Sequence, residues 1–337
     1  MSQLMPPVTT SASAASPVSS TFSAAALPPP TRWGDGLFRG ITQLAAIAIG
    51  VLFLLVAYVL IQGSHLSIAK FGWHFLVTST WDPVQEQYGA LPFIYGTVVS
   101  SIIALLIAVP LSVGTAIFLT DLAPVWLRQP VTSIIELLAA VPSVIWGLWG
   151  IFVMVPWLRD NLFPLLKKYL SFGGWNPLFS GPIYGVSMLA AGIIIAIMIL
   201  PIVTSVSREI LRAVPDLQRE AAYGLGATRW EVTRIAVLSY ARRGLLGAAV
   251  LGLSRALGET MAVTMVIGNR PEISKSLFAP GYTLASVIAN EFTEATTDMY
   301  LQALFEVGLV LLGVTIIFNI FALLLIKAFD TPGSRRA

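Results

Sequence analysis

Long apolar runs separated by short polar or aromatic stretches organise this chain. Apolar positions dominate residues 41–61, 93–119, 131–155, 183–206, 244–268 and 303–326. A helix needs about 20 such residues to cross a hydrocarbon core of about 30 Å. The six runs therefore predict an all-α integral membrane protein with six transmembrane helices. Pro110, Pro142 and Pro201 fall inside the second, third and fourth runs. A membrane helix tolerates such residues where neighbours satisfy the freed carbonyl, and Pro142 is expected to kink the third span. The connections differ in kind. Residues 62–92 are polar and aromatic, 121–130 read as a short turn, 156–182 and 269–300 as loops, and 208–243 is the longest charged region.

Composition agrees with this pattern. Hydrophobic residues make up 56% of the 337 and charged residues 11%, against roughly 25% charged in soluble domains. Residues 1–32 are mostly Ser, Ala, Thr and Pro with no charge before Arg32. They predict a disordered tail and no signal peptide, since nothing basic precedes a short apolar core. A membrane domain over 33–330 and a short tail, 331–337, follow.

Charge placement sets the expected topology. Arg32 and Arg39 precede the first span, seven arginines lie in 208–243, and Lys327, Arg335 and Arg336 follow the last span. The positive-inside rule then puts both termini and 208–243 in the cytoplasm. Loop 156–182 opposes it, with Arg159, Lys167 and Lys168 against Asp160. The chain has no cysteine, so disulfides, iron–sulfur clusters and thiol catalysis are excluded. His65 and His74 both lie outside the apolar runs, so no metal site is expected. No lysine follows a glycine, so no Walker A loop is present and ATP hydrolysis would need another chain.

The charged region carries its own punctuation. Asp216 after Pro215 is a candidate N-cap for a helix through Glu220, Ala221 and Ala222. Gly224 and Gly226 end it. Thr228 with Glu231 forms a capping box for a second helix. Helix, glycine turn and helix make a rigid knob suited to docking, although the arginines also serve as a plain topology signal. Tethering at both ends to the bilayer argues against DNA binding. Glu220-Ala221-Ala222 followed by Gly226 resembles the EAA loop of permease subunits of binding-protein-dependent ABC importers. Ala236 stands at the family's Ile position, Leu238 at its Leu position, and Ser239 where Pro is usual. The resemblance implies a type I importer permease fold with a cytoplasmic coupling helix that fits a cleft in an ATPase.

The fifth run holds the candidate chemistry. Gly244, Ala248, Gly252, Ala256, Thr260, Thr264 and Gly268 recur every fourth residue, all small. Such a row lets membrane helices approach closely. Arg255 and Glu259 occupy the adjoining row, with Arg255 roughly 16 Å along the helix from Gly244, near the bilayer middle. Each such charge costs about 2.5–3.5 kcal/mol on insertion scales. As i, i+4 neighbours the two are expected to pair, although Arg before Glu is the poorer order. A permeation path accounts better for their presence than a structural pair. A planar guanidinium suits an oxyanion, and Glu259 would hold Arg255 when none is bound. Thr260 and Glu136 are further candidates for the path, Glu136 alternatively pairing with a neighbouring helix.

Arg255-Ala256-Leu257-Gly258-Glu259-Thr260-Met261-Ala262-Val263 closely resembles the signature of PstC-type permeases of phosphate ABC importers. Residues 139–143, 224–229 and 240–244 extend the match, which covers about 35–330. Met261-Ala262 favours PstC over its sister PstA, where Ala-Pro is usual. The resemblance implies phosphate translocation at Arg255 and Glu259 in a bacterial inner-membrane complex. That complex would contain a homologous PstA-type permease, two ATPase subunits that bind ATP and Mg, and an extracytoplasmic phosphate-binding protein. No cofactor belongs to this chain itself. A permease for sulfate or molybdate, or a membrane partner that reports phosphate to a sensor kinase, are the alternatives.

Overall fold

The computed structural model describes residues 32–170 and 176–328. The expected disordered tail, apart from Arg32, and the C-terminal tail lie outside these residues. The chain divides into two compact units, 1–54 and 55–337. The first contributes the leading part of α1 (Arg32–Gly63). The second contains everything described below.

In lipid no water is available to bond the backbone, so an apolar run must satisfy its amides internally and forms a helix. Among the described residues five helices are long and apolar enough to cross a membrane: Gly34–Gly63 within α1, Leu91–Leu122, Met188–Arg212, Arg229–Leu257 and Asp298–Ala328. The second of these is α4 (Leu91–Ile117), extended by a π-turn, Phe118–Leu122. The third is α9 (Met188–Arg212) and the last is α15 (Asp298–Ala328).

The third run departs from the expected kinked helix. Its first part, α5 (Val125–Ala140), stops at Val141, whose backbone is extended (φ −68°, ψ 125°). The residue before a proline is pushed out of the helical region, and Pro142 here breaks the span rather than kinking it. The chain turns 93° into Ser143–Leu170. That stretch begins with α6 (Ser143–Trp149) and continues through α7 (Val155–Trp157) and α8 (Phe163–Leu170). Much of the expected loop 156–182 is therefore helical, and the sixth span exists only if the bent pair is counted as one. The other connections also carry short helices: α2 (His65–Phe71), α3 (His74–Val77) and α14 (Leu284–Glu291).

Helix α9 is the centre of the core. Ala190, Ala191, Ile194, Ile195, Ile199 and Val203 are buried to within 1% or better. Helix α4 meets it with a row of small residues, Gly96, Ser100, Ala104, Ala108, Ser112 and Ala116, all buried. The spacing of four keeps these on one slowly winding face. Ser112 Oγ donates to the Leu200 carbonyl at 3.0 Å across the contact. Ile103 of α4 fills the space over Gly192 of α9.

The closest backbone approach lies at the end of that row. A Cβ on Gly96 would sit 2.1 Å from the Tyr282 carbonyl oxygen. Gly96→Leu should therefore force two backbones apart and destabilise the chain by at least 1–3 kcal/mol, the usual scale for overpacking. Gly114→Leu adds its side chain where nothing lies within 4 Å and should leave stability unchanged or raise it by up to about 1 kcal/mol, since glycine is a poor helix former. Thermal unfolding of the isolated chain in detergent checks both; equal melting temperatures would refute the packing.

Candidate functional site

The fifth run does not form one helix. It comprises α12 (Leu238–Leu257) and α13 (Met261–Ile267), separated by residues 258–260. Gly258 adopts φ −95°, ψ 1° and Thr260 φ −112°, ψ −67°. A glycine costs about 1 kcal/mol against alanine inside a helix, so this is the cheapest place to interrupt the run. Tertiary packing then holds α13 in its own direction. Ala262, Val263, Val266 and Ile267 are fully buried in the cluster around α9.

The small-residue row is split by this break. Its first half faces α9. A Cβ on Gly244 would lie 2.6 Å from Ile210 Cγ2, and one on Gly252 2.7 Å from Val203 Cγ2. Ala248 and Ala256 are buried between. Thr260, Thr264 and Gly268 do not continue the row. Thr260 Oγ1 donates to the Gly258 carbonyl at 3.2 Å, and Thr264 Oγ1 to the Thr260 carbonyl at 2.8 Å. Gly268 closes α13 at φ +96°, a backbone geometry that glycine adopts freely.

The register gives the depth of the break. Gly244 lies against Ile210, and Gly252 against Val203 and Ile199. The helices therefore run antiparallel, and Arg255 comes level with the Ile199 region, near the middle of α9. Arg255 is exposed and Glu259 is half-buried. Among the described residues neither side chain has an ion-pair or hydrogen-bond partner. The expected pairing of Glu259 with Arg255 is absent because it required an unbroken turn of helix between them.

A second interruption adjoins the first. Helix α6, which starts after the Pro142 break, packs directly on α13. A Cβ on Gly147 would meet Met265 Sδ at 2.5 Å and Ala262 Cα at 3.1 Å. Irregular backbone at membrane depth occurs only inside protein or beside a water-filled cavity. Discontinuous helices of this kind build ion and substrate sites in transporters. The arrangement offers a guanidinium in the last turn of α12, and a carboxylate and the Thr260 hydroxyl on the irregular segment that follows. The sequence hint was Gly258 together with Pro142, but neither showed that the helices following the two breaks, α6 and α13, pack on each other.

Glu136 lies elsewhere. Its carboxylate is 3.7 Å from an Arg208 nitrogen, and Arg208 also donates to Thr132 Oγ1. This set joins α5 to α9. Glu136 thus makes an ion pair with a neighbouring helix.

The charged elbow is well defined. Helix α10 (Asp216–Gly224) starts with Pro215 at the N-cap position, so Asp216 is the first helical residue rather than the cap. Its charge still suits the positive end of the helix dipole. Gly226 has φ +83°, and its N–H donates to the Tyr223 carbonyl at 2.9 Å. The expected capping box opens α11 (Arg229–Glu231): Thr228 N–H donates to Glu231 Oε2 at 2.7 Å, and Glu231 N–H to Thr228 Oγ1 at 3.4 Å. A π-turn, Val232–Val237, carries α11 straight into α12. Glu220, Ala221, Gly224 and Gly226 are exposed and Ala222 is half-buried. Leu217, Tyr223, Leu225 and Trp230 add exposed apolar area to the same elbow, the mark of a surface that meets a partner.

One pair escaped the sequence reading. Asp121, expected in a plain turn, accepts from Arg219 of α10 at 2.7 Å. Arg219 also donates to the Leu211 carbonyl of α9 at 3.0 Å, and Thr233 donates to Asp121 Oδ2 at 3.4 Å. The π-turn Phe118–Leu122, α10, α11 and the π-turn Val232–Val237 line a cavity of about 270 Å³. Partners almost a hundred positions apart leave no local signal in a sequence.

Comparison with known proteins places this geometry in a family. The model of the binding-protein-dependent transport system inner membrane component matches residues 108–331. The phosphate transport system permease protein PstC of Mesorhizobium japonicum is 48% identical over 297 residues, 88% of this chain and 91% of that protein. Its counterpart in Haemophilus influenzae is 47% identical, over 89% of this chain and 96% of that protein. A probable PstC of Methanocaldococcus jannaschii is 37% identical, over 86% and 93%. The chain therefore belongs to the inner membrane components of binding-protein-dependent transport systems, and among them to the PstC-type permeases.

Proposed function

We propose that this chain is the PstC-type permease subunit of an ATP-driven importer of inorganic phosphate and forms half of its translocation path. The observation that carries the reading is the interruption at residues 258–260, at mid-membrane depth, with exposed Arg255 on one side and Glu259 within it. The names of the relatives supply the substrate.

Arg255 presents a planar, always charged fork that matches two phosphate oxygens. Glu259 sits close along the chain and repels the same anion unless it is protonated or turned away. The opposition limits the affinity, so a bound phosphate is released on the other side. Thr260 offers a hydroxyl to the same oxygens.

Coupling rests on continuity. The exposed α10–α11 elbow would dock in an ATPase subunit, which binds ATP and Mg. From Thr228 onward, α11, the π-turn and α12 form one helical rod that ends beside Arg255. A push on the elbow is thus delivered to the break. Asp121 and Arg219 would tie α10 to α4 and α9, so the other core helices follow. The complex is completed by a homologous PstA-type permease, two ATPase subunits and an extracytoplasmic phosphate-binding protein. It would sit in the bacterial inner membrane with both termini cytoplasmic.

Phosphate uptake by the reconstituted complex tests the site. Arg255→Gln should lower uptake roughly 10–100-fold, the value of one charge-assisted hydrogen bond at about 1.5–3 kcal/mol, and Glu259→Gln should lower it by slowing phosphate release. Normal uptake in both variants would defeat the reading. At the elbow, Gly226→Val places a β-branched residue in a left-handed geometry at a local cost of about 1–2 kcal/mol. The ATPase subunit should then fail to co-purify while the chain still inserts in the membrane. Asp121→Asn should leave the ATPase bound yet reduce phosphate moved per ATP hydrolysed. Restoration by the exchanged pair Asp121→Arg with Arg219→Asp would identify the pair itself as the cause, and an unchanged ratio in Asp121→Asn would exclude it.

A further inference from the structure

A second membrane-facing site lies far along the chain from Arg255. Glu306 of α15 is only 6% exposed, and the Ser67 hydroxyl is the polar group beside its carboxyl. Neither Glu306 Oε2 nor Ser67 Oγ makes a well-formed hydrogen bond, and no cation pairs with Glu306 among the described residues. The carboxyl lines a groove of about 630 Å³ that is otherwise apolar. On α15 the groove is walled by Leu309, Val310, Gly313 and Ile317. These follow Glu306 at the three- and four-residue steps of one helix face.

Depth distinguishes this carboxyl from an ordinary buried acid. Helix α15 has 31 residues, about 46 Å at 1.5 Å per residue, so it exceeds the hydrocarbon core by about 16 Å. Lys327 in its last turn anchors one end at an interface. About 20 residues back from it, the opposite edge of the core falls at Glu306. Trp73, 84% exposed, stands on the rim of the same groove, and tryptophan favours that boundary. From Glu306 to Ile317 the groove runs about 16 Å along the helix, roughly half the hydrocarbon core, which is the depth of one leaflet.

We propose that this groove holds one phospholipid with a primary-amine headgroup. Its ammonium would be received by Glu306 at the interface, and one acyl chain would lie along the α15 face down to Ile317. Charge complementarity selects the headgroup, because a carboxyl at headgroup depth with Ser67 beside it but no cation among the described residues calls for a hydrogen-bonding cation. A quaternary amine has no N–H to give. The volume suits one chain rather than a whole lipid. Gly313 forms the floor, where an added Cβ would meet nothing within 4 Å.

The full chain, purified with its partner subunits, is equilibrated in bicelles of phosphatidylethanolamine or phosphatidylcholine, and retained lipid is counted by native mass spectrometry. Phosphatidylethanolamine should be retained at one per chain and at least tenfold more than phosphatidylcholine. Glu306→Gln should abolish that preference. Gly313→Phe fills the open floor without touching the carboxyl and should reduce retention of both lipids, which keeps the test sound if Glu306→Gln fails to fold. Equal retention of the two lipids by the unaltered chain would overturn the proposal. So would efficient cross-linking of Leu309→Cys, the one thiol in a chain without cysteine, to a partner permease, since a protein helix would then occupy the groove.

Discussion

No backbone amide can be left unpaired in lipid, and the architecture of this chain follows from that constraint. An unsatisfied peptide group in hydrocarbon costs several kcal/mol. The apolar runs are therefore helical wherever they face lipid, and helical continuity can be given up only where protein surrounds the break or a water-filled cavity adjoins it. The residues at both described interruptions, after Ala140 and after Leu257, are half-buried or exposed on this chain, so the rule calls for a water-filled path or a partner subunit beside them. The segments beyond them, α6 and α13, pack on each other and on the buried face of α9. The segment 258–260 leads directly into α13.

Close packing supplies the support that the hydrophobic effect cannot. Apolar side chains gain little by leaving lipid for one another, so helices associate through shape and near approach. Helix α9 provides the surface, and α4 and α12 each lay a row of small residues against it. These contacts set the register of α12, and the register sets the depth of Arg255. The charge is held at mid-membrane by glycines that never touch it.

The elbow and the break form one mechanical unit. Between Thr228 and Leu257 the backbone remains helical, passing through a π-turn without stopping. A rod of this kind transmits displacement, whereas a flexible loop would absorb it. The Asp121–Arg219 pair, short and largely shielded from water, adds a transverse tie between the elbow and two core helices. Partial burial makes such a pair less screened than a surface ion pair.

Much was legible in the sequence because it depends on neighbours in the chain. Hydrophobic length determined the helical membrane class, Thr228 and Glu231 determined the second helix of the elbow, and Gly226 marked its turn. The small-residue row predicted which face of α12 would be packed, as far as Ala256. What the sequence could not determine depends on groups distant along the chain. An unbroken helix through Gly258 and a bent one share nearly the same local energy, and the burial of α13 beside α6 and α9 decided between them. That decision also separated Glu259 from Arg255. Asp121 met Arg219, and Glu136 met Arg208, only because separate helices brought them together. Local propensity is written in adjacent residues, whereas the direction of a helix after a glycine or proline is settled by what it packs against.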